Sequence, residues 1–201
     1  HTSIIQNRIV ASSRVTGIDL GGGGVGDHRI RYNHITATGD DSIGIDANPG
    51  LSSPGQMSNV TISNNFVNVS GTSVYAIETG RAVDFFITDN NLTVIGSTGP
   101  SGGILRLEPG TNFTTVGNNT LEGYGSAGEQ IIGLYSRGLT SNRVNSNNVY
   151  ERNVLRIKSG SSLGGSSKGI FLEESVPGPT IRYNNITMTS RGISIRGIDL
   201  G

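Results

Sequence analysis

Ile30-Arg31-Tyr32-Asn33-His34-Ile35 is the stretch on which the fold turns. Its pattern is an aliphatic residue, two variable positions, an asparagine, one variable position and a second aliphatic residue. The same spacing recurs as Ile4–Asn7–Ile9, Ile62–Asn65–Val67, Ile87–Asn90–Leu92, Val116–Asn119–Leu121, Val144–Asn147–Val149 and Ile181–Asn184–Ile186. Successive asparagines lie 25 to 37 residues apart. Self-similarity at such a period is the mark of stacked structural units. Apolar alternation on either side of the asparagine reads as two short strands. The asparagine stands at the bend between them, because it tolerates the left-handed backbone conformation that most residues avoid. Its amide bonds the equivalent amide one repeat away, giving a ladder.

A third strand follows most of these asparagines, at 17–21, 42–46, 75–78, 105–108, 132–135 and 193–196. Alternation makes Ile18/Leu20, Ile43/Ile45, Tyr75/Ile77, Leu105/Leu107, Ile132/Leu134 and Ile193/Ile195 its inward residues. The sixth coil offers two third strands, Leu-Arg-Ile-Lys at 155–158 and Ile-Phe-Leu-Glu-Glu at 170–174, separated by a Gly/Ser-rich loop at 159–169. A Pro-punctuated turn covers 47–58. The expected fold is all-β: a right-handed, single-stranded parallel β-helix of about seven coils with an Asn ladder. It forms one domain over 1–201 and a rod on the order of 34 Å long.

Composition narrows the function classes. Lys plus Arg and Asp plus Glu are 15 each, so there is no basic excess for nucleic acid. No apolar run reaches the length of a membrane-spanning helix. Cys is absent, which removes disulfides, iron–sulfur clusters and thiol chemistry. The 31 glycines suit many short strands and turns and do not suit a helical bundle. Six Asn-x-Ser/Thr sequons occur, at Asn59, Asn68, Asn91, Asn112, Asn118 and Asn185. The string Gly-Ile-Asp-Leu-Gly at 17–21 returns at 197–201, so both ends read as coils. The expectation is a segment of a longer rod, or a subunit that stacks end to end or forms a homotrimer.

The repeated aliphatic-x-x-Asn-x-aliphatic pattern resembles the parallel β-helices of the pectin-lyase-like superfamily, over essentially the whole chain. That superfamily spans polysaccharide lyases, hydrolases, epimerases, phage tailspikes and adhesins, so fold alone does not select an activity. Gly39-Asp40-Asp41-Ser42-Ile43 resembles the Gly-Asp-Asp motif of polygalacturonase-type hydrolases, and Arg156-Ile157-Lys158 resembles their Arg-Ile-Lys substrate motif. The resemblance implies Asp40 and Asp41 as an acidic pair, with Arg156 and Lys158 holding a sugar carboxylate. Val15-Thr16-Gly17 stands where those enzymes carry Asn-Thr-Asp, and Val74–Glu78 holds no His. A secreted protein, or one on a cell or virion surface, is implied.

Outward positions of the third-strand sheet are Asp19, Asp46, Glu78, Arg106 with Glu108, Tyr135, Arg156 with Lys158 if that strand is in register, and Arg196. Acids come first and bases last. Such a face suits an acidic polysaccharide, with Arg forks taking carboxylates. Cleavage or epimerisation needs a neutralised uronate, a base and an acid. Glu78 and Glu108 are candidates for Ca²⁺ through oxygen ligands. Arg106, Tyr135, Arg156 and Lys158 are candidates for base and carboxylate clamp, and Asp19, Asp46 and Arg196 for substrate contacts. The competing reading is a non-catalytic structural or adhesive rod whose charges pair between coils.

Overall fold

A computed structural model describes residues 1–21, 25–49, 56–99, 102–126, 129–138, 145–159, 166–173, 177–190 and 195–201. The described chain is all strand and turn, wound as a parallel β-helix of three seven-stranded sheets. The first sheet takes Thr2–Ile5, Val25–Arg31, Met57–Ser63, Ala82–Thr88, Thr115–Gly117, Val149–Glu151 and Thr180–Arg182. The second takes Arg8–Ser12, His34–Thr38, Phe66–Thr72, Asn91–Ser97, Thr120–Gly125, Val154–Ser159 and Asn185–Ser190. The third takes Thr16–Asp19, Ile43–Ala47, Tyr75–Thr79, Leu105–Leu107, Ile132–Arg137, Ser167–Glu173 and Ile195–Leu200. Seven strands per sheet leave six coil-to-coil steps, so the solenoid makes about six turns where the sequence suggests about seven coils.

Parallel register stacks like on like, and the core is three apolar columns. Ile4, Ile30, Ile62, Ile87, Val116, Tyr150 and Ile181 form the first. Ile9, Ile35, Val67, Leu92, Leu121, Leu155 and Ile186 form the second. Ile18, Ile45, Ile77, Leu105, Leu134, Ile170 and Ile198 form the third. The interior members are fully buried, each worth about 1.5–3 kcal/mol relative to exposure.

The ladder runs beside these columns through Asn7, Asn33, Asn65, Asn90, Asn119, Asn153 and Asn184. The main-chain N–H and Nδ2 of each asparagine donate to Oδ1 of the next, at 2.9–3.1 Å. Nδ2 also donates to a carbonyl of the preceding coil, as Asn90 does to Ile62 at 2.9 Å. The sixth member is Asn153, not Asn147. The true repeat there is Tyr150–Asn153–Leu155, with an aromatic residue standing where the other copies carry an aliphatic one. Val144 lies outside the described residues, and Asn147 is exposed. Its neighbours Asn145 and Asn148 serve another turn, accepting the N–H of Thr111 and Thr114 at 2.9 Å. That second use of asparagine is what disguises the register.

The left-handed residue at each ladder corner is the one before the asparagine. Gln6, Tyr32, Asn64, Asp89, Asn118, Arg152 and Tyr183 have φ between 53° and 59°. Bending one residue earlier leaves the asparagine's own N–H and Nδ2 aimed along the rod axis. Each such corner costs about 1–2 kcal/mol for a residue with a Cβ, which the ladder bonds offset.

The third sheet departs from simple alternation. Two consecutive residues face the core in most coils: Gly44 with Ile45, Ala76 with Ile77, Ile104 with Leu105, Gly133 with Leu134. The position is glycine in several coils because the second sheet approaches closely. A Cβ on Gly44 would lie 2.2 Å from Val67 Cγ1, and one on Gly133 2.7 Å from Leu155 Cδ2. The doubled inward step turns the preceding residue outward. Ile43, Tyr75 and Ile132, expected inside, therefore lie on the outer face; Ile132 packs with Tyr135 and Phe171 instead. In the last coil Ile198 is in register with the core column but half-exposed, Ile195 is exposed as well, and Ile193 lies outside the described residues. The centres of the predicted turn at 47–58 and loop at 159–169 also lie outside them.

Replacing Asn153 by Ala strips the main-chain N–H of Asn119 and the carbonyl of Val116 of buried partners. The expected loss in urea unfolding is about 2–6 kcal/mol, from penalties of about 1–3 kcal/mol for each of the two orphaned groups. Asn147→Gly, at an exposed left-handed position, changes stability by less than about 0.5 kcal/mol.

Candidate functional site

One outward row runs the length of the third sheet. Register aligns Asp19, Asp46, Glu78, Arg106, Tyr135, Phe171 and Asp199, one residue per coil. The first five are the predicted row. The sixth and seventh are not: the third strand of the sixth coil is Ser167–Glu173, so Phe171 takes that place. Val154–Ser159 belongs to the second sheet, where Arg156 and Lys158 face out, and Arg156 pairs with Glu122 at 3.1 Å. Arg196 is off the row by three residues, in register with Lys168, and its guanidinium donates to Asp199 at 3.0 Å. The row thus ends on a ring and a carboxylate, and the gradient from acids to bases is not present. The missed signal was in plain view: Gly133-Leu134, Gly169-Ile170 and Gly197-Ile198 repeat the Gly17-Ile18 and Gly44-Ile45 step, and each puts the next residue on the row.

Arg106 is the hub. Its guanidinium contacts Glu108 and lies 3.8 Å from Glu78, and it sits over the Tyr75 ring at 5.1 Å. The Arg106, Glu78 and Glu108 side chains are only 11–14% exposed. The two carboxylates proposed for Ca²⁺ therefore share a resident cation, and an incoming metal would have to displace Arg106 from both. Among the described residues no group of three or more acidic or imidazole side chains is arranged around a common point. Burial raises the Glu108 carboxyl above the usual range, against the pull of Arg106.

Asp46 is the most perturbed acid on the row. It is partly buried, accepts the N–H of Asn48 at 2.9 Å, and faces Glu78 across one strand spacing. Burial, reinforced by the Glu78 carboxylate, pushes its carboxyl up to about 7. Glu78 in turn accepts from Asn48 Nδ2 at 3.4 Å. Asp19 accepts the N–H of Gly21 at 2.6 Å. The Asp40–Asp41 pair sits at the turn leading into the sheet. Asp40 accepts the N–H of Thr72 at 2.8 Å, while Asp41 reaches Arg14 at 3.7 Å. Asp41 also acts electrostatically on Tyr75, so this corner adjoins the row.

Toward the last coils the face closes over. Tyr135 is fully buried, stacked on Phe171 at 5.3 Å, with its hydroxyl donating to Glu173. Burial and that carboxylate hold its phenol well above the ordinary tyrosine range. It is a protonated donor, unsuited to the base role. Lys168 caps the Phe171 ring at 3.1 Å and pairs with Asp199 at 2.8 Å. Arg137 pairs with Glu173 at 3.8 Å and is over a third exposed, which makes it the most open of the cations around Glu108, Tyr135 and Glu173. Tyr75, Arg137, Lys168, Phe171, Glu173 and Asp199 are the members that sequence reasoning did not assign.

Comparison with protein-family models, with curated proteins and with solved structures finds no match to this chain. The class that the fold defines is a parallel β-helix with an Asn ladder. Among the described residues no helix is long and apolar enough to cross a membrane.

Asp46 carries a pH signature. Its folded-state pKa of about 7 exceeds the ordinary aspartate value of 3.8, so the native state binds the extra proton between those limits. The stability it contributes is complete below the unfolded-state pKa and is lost as pH rises through about 7. Asp46→Asn should flatten the fall in unfolding free energy over that window, and carboxyl ¹³C titration should place the Asp46 midpoint near neutrality.

Proposed function

We propose that this chain is an extracellular carbohydrate-binding β-helix that takes an acidic polysaccharide along the outer face of its third sheet. The observation that carries the reading is the row itself, polar or aromatic side chains in strict register along the rod, of which Asp19 is exposed and Asp46 half-buried while Glu78, Tyr135 and Phe171 are covered. Strands about 4.8 Å apart match the rise of an extended sugar chain, so Asp19 and Asp46 meet adjacent rings. Arg137, more than a third exposed, is an accessible fork for a uronate carboxylate. Asp46, about half protonated at neutral pH, donates to a sugar oxygen in its protonated form without repelling the polymer. It is also the group whose proton is best matched to general-acid work, with Glu78 as the adjacent carboxylate. The superfamily resemblance points to the same substrate class, by analogy of fold.

A structural rod is the second reading, and one observation favours it. Arg106, Glu78 and Glu108 satisfy each other and are largely covered. Paired charges between coils are what a non-catalytic shaft would carry.

Affinity electrophoresis through pectate, alginate and chondroitin sulfate, with and without Ca²⁺, separates the two. The binding reading expects retardation by at least one polyuronate, weakened about tenfold by Arg137→Ala, the worth of one charge-assisted hydrogen bond. Unsaturated and reducing ends, followed in parallel, report cleavage, which Asp46→Asn should abolish. Free migration through the whole panel contradicts polysaccharide binding and leaves the rod.

A further inference from the structure

The first sheet carries a separate feature on its own outer face. A cavity of about 310 Å³ is lined by Asp27, Arg29, Asn59, Thr61 and Phe86. Arg29, Thr61 and Phe86 are in register on three successive strands, so the guanidinium and the ring flank the hydroxyl. Asp27 sits where the register shifts between Val25 and His28, and Asn59 has φ of 54° opposite it. These irregularities break the alternation of the strands and bring a carboxylate and an amide to the rim beside Arg29, Thr61 and Phe86. Asp84, with φ of 58°, repeats the distortion in the next coil. Non-glycine residues held left-handed within strands are strained, and strain of this kind gathers at binding sites.

We propose that this cavity binds a neutral pyranose ring. Phe86 is 49% exposed, an uncovered ring on an otherwise polar strand face. Its π-face carries partial negative charge and suits the apolar C–H face of a sugar. Around it stand one acceptor-only group, Asp27, one donor-only group, Arg29, and two groups that do both, Asn59 and Thr61. That set matches hydroxyls, which both give and receive. The opposite charges of Asp27 and Arg29 balance, so the lining selects neither anion nor cation; Asp27 has one further contact, to His1 at 3.4 Å. The volume lies at the small end of ligand sites, room for one or two rings. The site is on a different sheet from the row of Asp46 and Arg106 and stands independently of the function assigned to that row.

The test is an NMR titration of the full chain with cellotriose, mannotriose and digalacturonate. At least one neutral trisaccharide should shift the amides of Asn59 and Thr61 and the ring signals of Phe86. Phe86→Ala should weaken that binding about tenfold or more, a loss of about 1.4 kcal/mol. Asn59→Gly keeps the left-handed backbone while removing the amide and should weaken it as well. Asp46→Asn on the third sheet should leave it unchanged. No shifts with either neutral sugar, shifts confined to other surfaces, unaltered affinity in Phe86→Ala, or preference for digalacturonate would each overturn the proposal.

Discussion

The bond from each ladder asparagine to the next is the constraint on which the rest of the structure depends. A parallel β-helix has no hairpins to fix its register, so something at the corners must. Here the main-chain N–H and the Nδ2 of one asparagine converge on a single Oδ1 in the next coil. A slip of one residue would break both bonds and turn every inward side chain outward. The apolar columns then follow, because residues two places after each asparagine are obliged to stack. Ile35, Val67, Leu92, Leu121 and Leu155 are the direct result.

The same register that stacks the core also stacks the surface, and this is what generates both candidate sites. On the third sheet, in-register charges find one another along the rod. Arg106 is held by Glu108 just past its own strand and by Glu78 on the preceding one, Lys168 by Asp199 on the following one. Much of that face is consequently self-satisfied, with Asp46 left as its most perturbed acid and Arg137 as its most open cation. On the first sheet Glu151 and Arg182 pair between coils in the same way, but the groups around Phe86 do not form such a column. Local departures from regular strand geometry at Asp27 and Asn59 leave polar groups gathered around an exposed ring. A face becomes available for ligand where stacking is interrupted, and becomes structural where it is perfect.

Fold and ladder were legible because asparagine spacing is a one-dimensional signal. Six of the seven ladder members follow directly from it. The sixth coil failed because Tyr150 replaces an aliphatic residue and because Asn145, Asn147 and Asn148 crowd the same stretch. The row was legible through its first five coils, where single strands carry the charges. It was lost beyond Tyr135, since Arg156 and Lys158 sit on a strand that alternates just as a third strand would. Only the inward glycine at positions such as 133 and 169 distinguishes the sheets, and its meaning lies in the close approach of Leu155 and Ile186. The first-sheet cavity has no linear signature at all, since its residues come from three strands and depend on backbone irregularities.

Hydrogen exchange at individual asparagine amides tests the ladder most directly. The account predicts that the main-chain N–H groups of Asn33, Asn65, Asn90, Asn119 and Asn153 are among the slowest to exchange, together with their side-chain amides, while the Asn147 side-chain amide exchanges freely. Rapid exchange at Asn153, or protection of the Asn147 side chain in its place, would contradict it.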